Sequence, residues 1–298
     1  MSSISRVSTD QKLIEMWLHG RPISTQKEYR RDVQVFFEFV AKGLAECDLE
    51  DLQGYSNHLD EKSIKLSTKR RKLNVVKSLY SFAAKLNYVR FNVAAALKIP
   101  KANNSLAGRI LKKKEVLKLT AKRQNVKVTT GNLPRGAFHV KLRDYCFLRL
   151  LYATGMRVSE ICPLLWSDFY ERDTGEIQVT ILGKGDKTRT VLVPATVWAE
   201  IEELRDNVDE SSPVFVSVRG NAIERTTAHR IIKQAAAASG VKPEVSCHWL
   251  RHAHAQHAYA GGARIDLLRD SLGHSNISVT NVYLESNPED SSSNYLGL

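Results

Sequence analysis

The sequence predicts a mainly α protein with a small antiparallel β-sheet in its C-terminal part, divided into two domains. Three observations carry this. Apolar residues recur at helical spacing through most of the 298-residue chain, the pattern that gives a helix one buried stripe. From Glu176 the period changes to two, the spacing at which strand side chains alternate between faces. Pro100 to Ala107, PKANNSLA, is polar and poor in apolar residues, as a linker is. The expected domains are residues 1–100, a linker at 101–107, and residues 108–298.

In the first domain, Thr25 and Glu28 read as a capping box ahead of TQKEYRRDVQVFFEFVAKG, with Gly43 as the stop. Tyr29, Val33, Phe36 and Val40 form one stripe of that helix. A shorter helix is expected at Leu49 to Leu59. In STKRRKLNVVKSLYSFAAKLNYV the stripe is Leu73, Val76, Tyr80 and Ala83. Its N-terminal turn carries Lys69, Arg70, Arg71 and Lys72. A charge run is ordinarily a solvated face, but a helix N-terminus adds free N–H groups and partial positive charge, which suits a phosphate.

In the second domain, ILKKKEVLKLTAKR starts a basic helix with Lys112, Lys113 and Lys114 at its head. KVTTGNLPRGAFHV reads as an irregular excursion, so that Lys122 to Val140 is expected to be a long loop. Lys141 to Ala153 is helical, with Leu142, Cys146, Leu150 and Ala153 on one side and Gly155 as its stop. Arg157 stands in the turn to a short helix, Val158 to Leu165, with Glu160 placed to hold it. Ile177, Val179 and Ile181 alternate with Gln178 and Thr180, LGKGDK turns, and TRTVLVP runs back, a hairpin that projects Lys184 from its tip. The GKGDKT at this turn lacks both the glycine before Lys-Thr and the following helix of a phosphate-binding P-loop, so nucleotide binding is rejected. Pro194 opens a helix with Val197, Ile201 and Leu204, and RTTAHRIIKQAAAASG makes another that ends at Gly240.

The net charge is +12 and the pI near 9.5. Such an excess favours a polyanion, because each phosphate neutralised releases a condensed counterion. Nucleic acid is therefore the expected partner, ahead of an anionic membrane surface. There is no run of eighteen apolar residues and no secretory signal. Cys47, Cys146, Cys162 and Cys247 form no CxxC pair and read as buried, reduced thiols of an intracellular protein.

The densest chemistry lies between Ser246 and Tyr283. Ser246 is a good N-cap and Gly261-Gly262 a stop, so Cys247 to Ala260 reads as one helix on which His248 and Arg251, three apart, share a face. A short helix from Arg264 to Leu272 ends at Gly273, His274 follows, and Ser278 caps a helix carrying Tyr283. Each residue alone has an ordinary reading: a helix histidine is usually a surface or satisfied core group, and a late tyrosine usually packs. Taken together, Arg157, Lys184, His248, Arg251, His274 and Tyr283 supply two permanent cations that fit phosphate oxygens, a proton donor, two proton acceptors and a nucleophile. Ionising a tyrosine near pH 7 costs roughly 4 kcal/mol, which nearby cations can offset. No carboxylate cluster for Mg²⁺ is visible, so neither metal nor cofactor is expected, and protein cations have to balance the transition-state charge.

The segments ATGMRVSEICPLLWSD, LGKGDKTRTVLVP, HWLRHAHA and LGHSNISVTNVY resemble, in order and spacing, the signature segments of the tyrosine recombinase (phage integrase) family. The likeness is greatest to short, two-domain Xer-like members. It covers residues 107 to 290 as the catalytic domain and 20 to 100 as a helical, SAM-like core-binding domain. It implies that Arg157 and Arg251 are the catalytic arginines and Glu160 a supporting acid. Lys184 would be the hairpin lysine, His248 and His274 the histidines, and Tyr283 the nucleophile. It also implies a C-shaped clamp on double-stranded DNA with inverted half-sites, a 3′-phosphotyrosyl intermediate, exchange through a Holliday junction without ATP or metal, and a homotetramer on two sites in the cytoplasm. Lys69 to Lys72 and Lys112 to Lys114 are the expected DNA contacts. Tyr295, Leu296 and Leu298 are candidates for a tail that packs against a neighbour or frays. Trp249 and the long loop depart from the family pattern.

Three rivals stay open on the residues alone. A zinc hydrolase would use His248, His252, His254 and His257, but Trp249 stands where such a site usually has its glutamate. A DNA-binding regulator would bind without a covalent adduct. A type IB topoisomerase would share the chemistry and act alone.

Overall fold

The computed structural model describes residues 9–100, 110–121, 135–183, 187–205 and 208–273, apart from the side chains of 135–139. The chain divides into two compact units, Met1–Asn104 and Ser105–Leu298. The leader at 1–8 and the linker expected at 101–107 lie outside the described residues.

The first unit is helical. It holds α1 (Asp10–Leu18), α2 (Ile23–Val40), α3 (Leu49–Glu61), α4 (Leu66–Lys85) and a 3₁₀ turn at Val93–Ala96. Val33, Phe36 and Val40 of α2 meet Leu73, Val76, Tyr80 and Ala83 of α4 in one core, as the two stripes require. Phe36 packs edge-on against both Tyr55 and Tyr80, and the Tyr80 hydroxyl donates to the Leu44 carbonyl at 3.1 Å. One expected cap is corrected. α2 starts at Ile23 behind Pro22, with no side-chain cap, and stops at Ala41 in the left-handed region (φ 50°), two residues before Gly43. Pro22 has no N–H to leave unpaired and its ring presets the backbone, so the helix begins ahead of Thr25. A capping box is present instead at α3, where Asp48 and Asp51 exchange bonds of 3.0 and 3.1 Å with each other's N–H.

The second unit contains α5 (Lys113–Leu119), α6 (Arg135–Thr154), α7 (Val158–Ile161), β1 (Phe169–Glu171), β2 (Ile177–Leu182), β3 (Thr188–Val193), α8 (Ala195–Glu202), α9 (Arg225–Ser239), α10 (Cys247–Ala260) and α11 (Ile265–Leu272). α6 runs through its centre, with Cys146, Phe147, Leu150 and Leu151 all at 0% exposure, and the Phe147 ring meets Phe215 edge-on. The three strands form one antiparallel sheet in the order β1-β2-β3, with Ile177 opposite Val193, Val179 opposite Val191 and Ile181 opposite Arg189. Among the described residues, β1 is an addition to the expected hairpin: three residues are too few to show a period.

Two boundaries also move. α6 begins at Arg135, so 135–140 of the expected loop is helix; Pro134 just ahead is the residue type that suits a helix start. α7 ends at Ile161, short of Leu165, because Pro163 cannot donate to a preceding turn. The remainder of the expected loop, 122–134, lies outside the described residues. All four cysteines are free and buried, and no helix among the described residues is long and apolar enough to cross a membrane.

Candidate active site

The site is assembled at the C-terminal ends of α6 and α11. Arg251, in the middle of α10, is 1% exposed. A guanidinium cannot shed its charge, so burial on this scale demands strong acceptors. It has them: Nη1 donates to the Gly155 carbonyl at 2.7 Å and Nη2 to the Leu272 carbonyl at 2.6 Å. Both carbonyls terminate helices, where the macrodipole is negative and no intrahelical donor remains. Gly155 is required there. Its φ is +63°, and a Cβ would stand 2.6 Å from His254 Cδ2 and 2.9 Å from a Leu272 methyl. His254 in turn directs Nδ1 at the Tyr152 carbonyl, 2.8 Å away. Burial lowers its pKa, the Arg251 charge adds to that, and the Tyr152 bond opposes it, so the ring is neutral at pH 7.

Arg157 stands at the turn into α7, as expected, and Glu160 holds it. One Glu160 oxygen accepts the Arg157 N–H at 2.8 Å and the other its Nη1 at 2.7 Å. Arg157 Nη2 reaches the Gly273 carbonyl at 3.1 Å on the exposed side of the site. A third arginine, which sequence reasoning missed, completes the group. Arg189 on β3 forks onto Glu160 at 3.1 and 2.7 Å and sends Nε to the Ser271 carbonyl at 2.8 Å. Burial pushes the Glu160 carboxyl up. The Arg189 fork, the Arg157 N–H and the Arg157 guanidinium outweigh burial and bring it to about 2. A signal for Arg189 existed in the strand period, since it is in phase with Val191 and Val193, the inward side of β3.

His248 lies exposed in the first turn of α10, its ring 4.2 Å from that of His252. The four histidines of α10 do not converge. His254 faces the Tyr152 carbonyl, and His257 Nδ1 pairs with the Tyr152 hydroxyl at 2.9 Å. No group of three or more His, Cys, Asp or Glu suited to a metal occurs among the described residues. Lys184, His274 and Tyr283 lie outside the described residues. The residues that precede two of them do not: Gly183 closes the hairpin by donating to the Lys187 carbonyl at 2.8 Å, and Gly273 (φ +64°) ends α11.

The basic residues expected to touch DNA divide into two sets. Lys112, Lys113 and Lys114 are exposed at the head of α5. In the N-terminal unit, Lys69 is 5% exposed and pairs with Asp60 at 2.6 Å. Arg71 and Lys72 both pair with Asp32, which is 1% exposed. Three of the four cations at the start of α4 thus hold the helical unit together. Arg70 forms no ion pair among the described residues, and its Nε is buried without a partner there.

A helical protein that anchors three arginines on backbone carbonyls around one helix end, two of them also held by a single carboxylate, defines a class: an enzyme that handles an anionic group with protein cations. Comparison with known proteins makes the class specific. Residues 110–290 match the model of the phage integrase family and residues 20–87 that of the phage integrase N-terminal SAM-like domain. The chain belongs to the phage integrase family of tyrosine recombinases, DNA strand transferases that carry out site-specific recombination. It is 29% identical over 293 residues to tyrosine recombinase XerD of Rickettsia bellii, covering 91% of this chain and 92% of that protein. It is 30% identical over 275 residues to tyrosine recombinase XerC of Mycobacterium tuberculosis, covering 89% and 88%. Among solved structures it is similar to XerH recombinase on a palindromic difH substrate in a post-cleavage complex, with a TM-score of 0.71, 20% identity, and coverage of 95% of this chain and 83% of that one. The same fold recurs in a lambda integrase fragment bound as a dimer to a core site, with a TM-score of 0.70, 17% identity, and coverage of 95% and 96%.

Proposed function

We propose that Tyr283 is the nucleophile of a site-specific DNA recombinase, acting on a phosphodiester gripped by Arg157 and Arg251. The observation that carries this reading is the convergence of Arg157, Arg189 and Arg251 on the carbonyls of Ser271, Leu272 and Gly273, the residues that lead directly into His274.

In this mechanism the two catalytic arginines neutralise the non-bridging phosphate oxygens, and His248 and His274 share the proton and hydrogen-bond load. The Tyr283 oxygen forms a bond to phosphorus as its proton leaves to a histidine, while the bond from phosphorus to the 5′ oxygen breaks and that oxygen takes a proton from Lys184. A 3′-phosphotyrosyl link and a 5′-hydroxyl result. The partner strand's 5′-hydroxyl then reverses the step, and because the ester energy is retained, ATP is not consumed. Four protomers on two sites with inverted half-sites would exchange strands through a Holliday junction in the cytoplasm. Residues 1–100 serve as the core-binding domain and 108–298 as the catalytic domain. Phosphate contacts come from Lys112, Lys113 and Lys114, and from Arg70 ahead of its ion-paired neighbours Lys69, Arg71 and Lys72.

The test is a nicked suicide duplex selected by the protein from random oligonucleotides. Wild type should accumulate a covalent complex, and Tyr283→Phe and Arg251→Ala should not. An adduct that persists in Tyr283→Phe refutes the assignment. Relaxation of supercoiled DNA by a monomer, with no joining of two sites, would instead favour a topoisomerase.

A further inference from the structure

Three consecutive carbonyls at the end of α11 each accept from a different arginine. Ser271 takes Arg189 Nε, Leu272 takes Arg251 Nη2 and Gly273 takes Arg157 Nη2, at 2.8, 2.6 and 3.1 Å. The last carbonyls of a helix lack intrahelical donors, so such a clamp fixes both the position and the direction in which the chain leaves α11. Two of these arginines are assigned to the phosphate above. Arg189 joins two other parts of the site: each of its three nitrogens has a protein acceptor, two of them the Glu160 carboxylate that also holds Arg157 and the third the Ser271 carbonyl.

Its surroundings connect it to the two described residues that lead into Lys184 and His274. A Cβ on Gly183 would lie 3.6 Å from Arg189 Nη1, and one on Gly273 would lie 3.2 Å from both its Cδ and its Nη1. Lys184 follows the first glycine and His274 the second. Through Glu160 the same guanidinium also reaches Arg157.

We propose that Arg189 is a positioning residue for strand cleavage, tying the base of the hairpin, the Arg157–Glu160 pair and the end of α11 into one unit. Such a tie holds Arg157 in a fixed relation to Gly183 and Gly273, the residues from which the chain continues to Lys184 and His274. This rests on the recombinase reading and adds a residue to it that does not touch DNA. Arginine is needed because a planar fork serves the carboxylate with two nitrogens while the third serves a carbonyl. A lysine offers one point charge. Displacement of catalytic groups by about 1 Å costs on the order of 10²-fold in rate.

The test compares Arg189→Gln, Arg189→Lys, Glu160→Gln and the Arg189→Gln/Glu160→Gln double variant with wild type, on a suicide duplex that wild type selects. Duplex Kd should stay within about twofold for Arg189→Gln, while single-turnover formation of the covalent complex falls on the order of 10²-fold. Arg189→Lys should recover part of that loss, and the double variant should be no slower than the slower single one, because both act through one carboxylate. Cleavage by Arg189→Gln at the wild-type rate, a Kd that weakens as much as the rate, or losses that multiply in the double variant would overturn the proposal. If Arg189→Gln does not fold, Arg189→Lys decides: a wild-type rate overturns the proposal and a slow rate at unchanged Kd supports it. A wild type that binds the duplex and never forms the adduct removes the recombinase reading itself, a result distinct from all of these.

Discussion

Replacing Glu160 by glutamine tests how the cationic site is held together. The carboxylate is 4% exposed and accepts from two guanidiniums and a backbone N–H. Burial works against its charge, but these partners prevail and its pKa falls from the ordinary 4.5 to about 2. At about 1.36 kcal/mol per pKa unit, the ionised form contributes roughly 3 kcal/mol to the catalytic unit at pH 7. Because the folded pKa is the lower one, that contribution is complete above about 4.5 and is lost as pH falls from there through 2. Glu160→Gln keeps the shape and an acceptor while removing the charge. At pH 7 it should therefore lower the unfolding free energy of the catalytic unit by about 3 kcal/mol, narrowing by about 1 kcal/mol at pH 3.5. Hydrogen exchange of α6 and α10 amides in the full chain, at several pH values, measures the gap. A variant as stable as wild type at pH 7, or a gap of constant size down to pH 3.5, would show that Glu160 does not anchor the arginines as described.

Gly155→Ala should cost about 3 kcal/mol, since a left-handed backbone disfavours a side chain by about 1–2 kcal/mol and the new Cβ meets His254 at 2.6 Å. A normal Tm with full covalent-complex formation would contradict this. Asp32→Ala should destabilise the helical unit by about 3 kcal/mol, because it strands the buried end of Lys72 and half-exposed Arg71. Exchange of α2 and α4 amides reads that loss, and unchanged protection would mean the pairs are decorative. Changing Lys112, Lys113 and Lys114 to glutamine should flatten the slope of log K against log salt by up to about 3, at about 0.9 per phosphate contact. An unchanged slope would place the DNA elsewhere.

Much of this was legible without coordinates. The stripes of α2 and α4 are the buried stripes, because an amphipathic helix has only one face it can bury; Arg157 and Glu160 stand just past the helix break that Gly155 marks, and Arg251 shares a helix face with His248 three residues before it. Lys69, Arg71 and Lys72 show the opposite case. A cationic run has the same appearance whether it faces water, a phosphate or a buried carboxylate, and Asp32, the partner of two of them, lies on another helix. Arg189 was hidden for a related reason: its inward phase on β3 could be read, but its partners come from α7 and from the end of α11.

The sequence by itself determined the mainly helical architecture, the position of the hairpin, the basic character and the family-specific set of reactive side chains, because periodicity, turn residues and motif spacing are local properties of the chain. Only the tertiary structure decided which cations hold the protein together and which face outward, and that three arginines from β3, the turn into α7 and α10 cap one helix end. A salt bridge or a helix-end carbonyl joins residues remote in sequence, and their pairing is settled by packing.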